Sequence, residues 1–172
     1  MSDGAPGLIH AIEECFPRSV RQRCLAHKMR NLQSKVPDNV WPEFRARARA
    51  CYRAASPALA HLLKDDIAAT YAGDLPSSVA CFDDDFEAYI AHLRFPLDHR
   101  RAIRTTNLLK RLFGDERRRT KVIPHAFGER VVLKLMYAAL IRAAERWCGI
   151  RMTEFEQRQL TAIRNELDRA HA

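Results

Sequence analysis

Between Arg104 and Lys121 the sequence reads RTTNLLKRLFGDERRRTK. Arg104, Lys110, Arg111, Arg117, Arg118, Arg119 and Lys121 bring seven positive charges there, against Asp115 and Glu116. Guanidinium and ammonium groups at this density neutralise phosphate, so the chemistry open to the stretch is holding a nucleic-acid backbone. Positions 105, 108, 109 and 112 have helical spacing, which lays Leu108, Leu109 and Leu112 against a core and turns the basic residues outward. A solvated basic helix with no ligand has the same pattern. The one-sided charge, the Thr105-Thr106-Asn107 run that opens the stretch and the triple arginine that closes it favour phosphate.

Three other groups have reactive residue types. Asp3 stands ahead of a turn and a short helix, where a carboxylate either caps the helix or serves a site. Cys24-Leu25-Ala26-His27 is a C-x-x-H, but zinc takes about four ligands, and no second C-x-x-C or H-x-x-x-H exists to complete a set. Asp83, Asp84, Asp85 and Glu87 invite a metal reading. Consecutive helical residues diverge by about 100° each, so a solvated helix start is expected instead.

Taken together, these residues make the chain resemble the Mutator-type transposases of bacterial insertion sequences. The resemblance rests on Arg104-Thr105-Thr106-Asn107 followed by Leu108, Leu109, Phe113 and Arg117-Arg118-Arg119-Thr120, on the Arg21–Asn31 context of the C-x-x-H, and on Asp3-Gly4. It runs from Asp3 through about Trp147. It implies a catalytic Asp-Asp-Glu triad holding two Mg²⁺ ions, with Asp3 as the second carboxylate. The 107 positions from Asp3 to Lys110 match the separation expected between the second Asp and the Glu. It also implies DNA contacts by Arg104, Asn107, Arg111, Arg117, Arg118, Arg119 and Lys121, with Cys24 buried beside the site and His27 near it.

The departure from the pattern is Lys110, which stands where the resemblance puts the triad Glu. An ammonium donates hydrogen bonds and cannot coordinate a cation. Asp115 and Glu116 point about 140° and 240° around the helix from Lys110, so neither replaces it. The first Asp would lie on a strand before Asp3. The expectation is therefore a truncated C-terminal part of such a transposase, with an incomplete site at Asp3, no Mg²⁺ bound and no strand-transfer activity alone. The alternative is a non-catalytic module that binds DNA or full-length transposase subunits, or itself, and dampens transposition. A decayed remnant with no role is a third reading, and a basic helical protein unrelated to transposition is the plainest.

Composition agrees with a DNA partner. The chain has 172 residues, a formal net charge of +8 and 47% hydrophobic residues, enough for a sizeable core. No apolar run reaches the roughly 20 residues a membrane helix needs, and the start lacks the features of a signal peptide, so a cytoplasmic, nucleoid-associated protein is expected. Five cysteines at irregular spacing read as reduced thiols.

The elements that must position these groups are mainly helical. Leu8, Ile9, Ile12 and Cys15 share one helical face, ending near Phe16-Pro17. Ser19–Ala26 is the best strand candidate. Helices are expected from Trp41 or Pro42 through Ala54, from Ser56-Pro57 through about Tyr71, and on to Leu93 after a break at 72–76. Leu59, Leu62, Leu63, Ile67 and Ala68 should face inward in the second of these. Val132, Leu135, Met136, Ala139, Leu140, Ala143 and Trp147 form the core face of a later helix. A polar, loosely held helix follows over Met152–Ala170, with Phe155, Leu160, Ile163 and Leu167 inward. The resemblance implies that residues 1–27 are a remnant of a ribonuclease H-like core, 28–96 a helical insertion, 97–150 C-terminal core helices and 151–172 a polar terminal helix, with at most one or two short strands.

Overall fold

A computed structural model describes residues 5–121, 128–146 and 152–170, apart from the side chains of Leu8, Leu108, Leu109, Glu116, Arg119, Thr120, Ala143 and Arg146. The described residues form helices and no strand. The chain divides into two compact units, Met1–Thr105 with Met152–Ala172, and Thr106–Arg151.

The first unit contains α1 (Pro6–Cys15), α2 (Leu25–Gln33), α3 (Trp41–Tyr52), α4 (Pro57–Tyr71), α5 (Pro76–Asp83), α6 (Phe86–Ile90), a 3₁₀ turn (Ala91–Arg94), α7 (Leu97–Ile103) and α10 (Glu154–Ala170). Proline sets several starts, because its fixed φ suits the first turn and its missing N–H is not needed there. Pro6, Pro42, Pro57 and Pro76 all occupy such places. Ser56 caps α4 by accepting the Leu59 amide at 3.3 Å.

Its core is aromatic. Phe44, Tyr52, Phe82, Phe86 and Tyr89 are buried, with ring centroids 5.4 Å apart for Tyr52 and Phe82 and 5.7 Å for Phe82 and Phe86. The tilted and edge-on arrangements are those ring quadrupoles favour. Ala48, Ala60 and Ile67 let α3 and α4 pack closely around them. Cys51 is buried here, donates to the Ala60 carbonyl at 3.2 Å, and has its thiol pushed up to about 12 by burial. Cys15, Cys24, Cys51 and Cys81 are all free thiols.

Several expectations change. Ser19–Ala26 is not a strand: the stretch before α2 is irregular, and Leu25 and Ala26 belong to the helix. Its backbone amides and side chains find partners in α6, α7 and the 3₁₀ turn, so no neighbouring strand is needed. The N-cap residue of α1 is Ala5, not Asp3, and Asp3 lies outside the described residues. Leu59 and Leu62 are exposed, because Ala60 and Ile67 rather than the larger leucines define the inner face of α4. On α10, Leu160, Ile163 and Leu167 line a cleft of 710 Å³ with Val20 and Phe95, while Phe155 is exposed. Thr153 and Glu156 cap its start reciprocally: the Thr153 amide donates to Glu156 Oε2 at 2.8 Å, and the Glu156 amide to Thr153 Oγ1 at 3.3 Å.

The second unit pairs α8 (Asn107–Thr120) with α9 (Glu129–Arg146). Thr106 is the N-cap residue of α8, so Thr105 lies outside the helix the spacing predicted to include it. On α9, Val132, Leu135, Met136 and Ala139 are half-buried as the pattern predicts, but Leu140 is exposed with Leu133, Tyr137 and Ile141. Trp147 and Cys148 lie outside the described residues.

Candidate nucleic-acid interface

The geometry of α8 gathers its cations. At about 100° per residue, taking Lys110 as zero, Arg117 falls near −20°, Lys121 near 20°, Arg118 near 80° and Arg111 near 100°. Asn107 lies near 60° and Gly114 near 40° on the same sector. Leu112, half-buried, points to the opposite side near 200°. Lys110, Arg111, Arg117, Arg118 and Lys121 are all exposed, as is Asn107. Arg118 pairs with Asp115, one turn back at the edge of this sector. The face is thus a stripe of positive charge about three turns long, with a glycine in its middle. A side chain built at Gly114 would meet nothing within 4 Å, so the glycine is not there to relieve crowding.

The residues around the C-x-x-H are arranged differently. Cys24 is buried at the N-cap position of α2, and its carbonyl accepts the amides of His27 at 3.1 Å and Lys28 at 3.2 Å. His27 is half-buried. The Leu25 amide donates to the Arg104 carbonyl at 3.1 Å, which joins the start of α2 to the end of α7. The neighbouring basic residues point into the protein. Arg21 makes a bidentate pair with Asp85, at 2.6 and 2.9 Å. Arg23 reaches Asp84 at 3.2 Å and Asp85 at 3.3 Å, and its guanidinium lies 4.8 Å from the centre of the Tyr89 ring. Asp85 holds φ at 54°, a left-handed conformation that Asp tolerates better than most residues.

Lys28 is buried with 1% exposure and donates to the carbonyls of Cys81 and Asp84, the latter at 2.8 Å, at the end of α5. Its ammonium sits 4.4 Å from the centre of the Tyr89 ring. A cation placed on the last carbonyls of a helix and on a ring face is well matched. Burial pushes this lysine below its ordinary range. His92 completes the arrangement: its amide donates to Gln22 Oε1 at 2.7 Å, and its ring nitrogens lie 3.1 Å from the Tyr89 carbonyl and 3.0 Å from that of Tyr52. Burial lowers the imidazole, partly opposed by those carbonyls.

The acids at 83–87 are therefore neither a metal cluster nor a bare solvated helix start. Asp83 pairs with Lys64, Asp84 and Asp85 with the two arginines, and Glu87 lies 3.0 Å from His61. Among the described residues, no group of three His, Cys, Asp or Glu side chains could hold a metal ion.

The structure brings Asn107, Lys110, Arg111, Arg117 and Arg118 onto one helix, with Lys121 as its C-cap, and places the Arg119 backbone with them, while the Arg119 side chain is not described. Arg104 closes α7 in the first unit, and Cys24 and His27 lie in the same unit at the start of α2. Missed by the sequence reading were Gln22, Lys28 and His92, a buried polar set whose only hint was a lysine and a histidine inside apolar spacing.

Fold and surface together define an all-helical class of protein, as far as it is described, with an outward cationic helix and no helix long and apolar enough to cross a membrane. The family described as Transposase, Mutator family matches residues 1–149. The chain belongs to that family. It is 31% identical over 150 residues to the transposase for insertion sequence element IST2 of Acidithiobacillus ferrooxidans, covering 87% of this chain and 51% of that one. It is 30% identical over 150 residues to the transposase of IS6120 from Mycolicibacterium smegmatis, covering 87% and 46%. With the transposase of IS256 in transposon Tn4001 from Staphylococcus aureus the figures are 29% over 149 residues, 86% and 38%. The chain thus spans about half the length, or less, of these curated relatives.

Proposed function

We propose that this chain is a DNA-binding part of an insertion-sequence transposase that lacks strand-transfer activity by itself. The observation that carries this is the face of α8, where five exposed cations, Lys110 among them, share one sector with Asn107. The relatives are named as transposases, which act on DNA, and the face has the charge to hold phosphate. Arg104, Asn107, Arg111, Arg117, Arg118, Arg119 and Lys121 are the proposed DNA contacts. On this reading the helices belong to a ribonuclease H-like domain, with residues 28–96 as its helical insertion, and the chain works in the cytoplasm at the nucleoid.

The donor set does not fit a Mg²⁺ pair. Magnesium takes hard, preferably anionic oxygen ligands, and Lys110 offers an ammonium where one carboxylate is needed. Asp115, the nearest described acid on α8, already pairs with Arg118.

Two assays test the proposal. In a gel shift with duplex DNA, affinity should fall steeply as salt rises, and an affinity indifferent to salt refutes DNA holding by this face. In a strand-transfer assay with terminal-repeat DNA and Mg²⁺ or Mn²⁺ the chain alone should be inert. Metal-dependent cleavage lost on Asp3→Ala would overturn the inactive reading.

A second reading has its own observation. Leu133, Tyr137, Leu140 and Ile141 are exposed along α9, an apolar surface of the kind that partner chains cover. The chain would then bind full-length transposase subunits and dampen transposition. Co-purification with an intact transposase, and loss of that enzyme's activity on mixing, would favour it.

A further inference from the structure

Three arginines of the first unit stand together without a carboxylate. Arg53 closes α3, and Arg101 and Arg104 lie one turn apart at the end of α7. The backbone beside Arg53 is fixed against α7 and the 3₁₀ turn. Arg100 donates to the carbonyls of Phe95 at 2.8 Å, Ala54 at 3.3 Å and Ala55 at 3.0 Å, while His92 Nε2 lies 3.0 Å from the Tyr52 carbonyl. That scaffold sets the ends of α3 and α7, where the three arginines stand, side by side. Arg53 and Arg101 are exposed and Arg104 is half-buried.

Among the described residues, no ion pair joins any of the three to an acid. Arg21, Arg23, Arg47 and Arg94 in the same unit are all paired. Burial pushes the Arg104 guanidinium below its ordinary range, and the charges of Arg53 and Arg101 push it further. The carbonyl ends of α3 and α7 favour a cation each, but that modest attraction does not account for three arginines at the two joined ends. Like charges kept together at a cost mark a site whose missing counter-charge comes from outside the chain.

We propose that Arg53, Arg101 and Arg104 form a phosphate-binding site that takes a phosphodiester of the DNA backbone, in a different unit from the cationic face of α8. The identity of the ligand rests on the DNA-binding reading, whereas the need for an anion rests on the three charges alone.

Thermal unfolding of the full chain in inorganic phosphate and in chloride, at matched ionic strength, tests the anion site. Phosphate should raise the midpoint. Arg53→Gln and Arg104→Gln should abolish that rise while melting no lower than the parent in chloride, since repulsion is relieved. Arg45→Gln, at an exposed position of α3 about two turns from Arg53, should keep the rise. A phosphate response absent from the parent, or equal in parent and Arg53→Gln, overturns the proposal. For DNA, the double variant Arg53→Gln/Arg101→Gln should flatten the slope of log affinity against log salt by about 2, one for each arginine removed from the phosphates. An unchanged slope overturns DNA as the ligand. If instead the parent's own affinity is indifferent to salt, the failure belongs to the DNA-binding reading and not to the arginine cluster.

Discussion

The two units use the same kinds of residue to opposite ends. In the first, Arg21, Arg23 and Lys28 turn inward onto Asp84, Asp85, helix-end carbonyls and the Tyr89 ring, and the aromatic side chains bury one another. In the second, the cations of α8 face water and α9 leaves Leu133 and Tyr137 exposed. A run such as RQRCLAHK is as basic as KRLFGDERRRTK, yet only the latter is turned outward. The difference lies in whether acids arrive from elsewhere in the chain. Asp84 and Asp85 come some 60 residues later to meet Arg21 and Arg23. Density of charge along a sequence thus reports a partner without saying whether that partner is internal.

Substitutions can break this contrast. Phe44→Ala in the first unit should cost about 4 kcal/mol in denaturant unfolding, as expected for emptying a fully buried ring site. Phe113→Ala on α8, where the ring is half exposed, should cost less than about 1 kcal/mol. Similar losses at both would erase the distinction. Lys28→Met should cost about 2 kcal/mol or more, because it strands the Cys81 and Asp84 carbonyls. Lys110→Met should leave stability within about 0.5 kcal/mol and weaken DNA binding instead. A Lys28→Met protein as stable as its parent would show that the buried ammonium holds nothing together.

Acid sharpens the comparison further. The folded His92 ring resists protonation, so as pH falls below about 6.5 the unfolded chain gains a proton that the folded chain refuses. Stability should therefore decline with falling pH, by at most about 1.4 kcal/mol per pH unit from this one group. His92→Gln should lower stability at neutral pH and flatten that decline, and an unaltered pH profile would place the acid sensitivity elsewhere. A small gain in stability is expected at Gly114, where nothing obstructs a methyl group. Gly114→Ala should stabilise α8 by about 0.5 to 1 kcal/mol in thermal melts.

Much of the first unit was legible because its signals are local. Ser56-Pro57 marks the start of α4, Pro76 that of α5, and Val79, Phe82, Phe86, Tyr89, Ile90 and Leu93 are buried as their spacing predicts. Failures came where distant partners decide. Ser19–Ala26 alternates like a strand, but Gln22 and the two arginines are held by α6 and the residues beside it. The acids at 83–87 resembled a solvated helix start because their partners Arg21, Arg23, Lys64 and His61 lie far off in sequence. On α9, spacing identified the half-buried face but not how much apolar surface would remain on the other sides. Of the candidate site, the outward charge of α8 was readable from periodicity. That Arg104 ends a different helix was not, since the run of basic residues continues across the break.

The contact between the Leu25 amide and the Arg104 carbonyl is made entirely by main-chain atoms. It ties together two segments nearly 80 residues apart, and no change of side chain deletes it directly. Such a join survives drift in amino-acid identity that would dissolve a salt bridge. Removing it takes an alteration of the polymer itself, such as an ester in place of that peptide link or an imino acid at position 25.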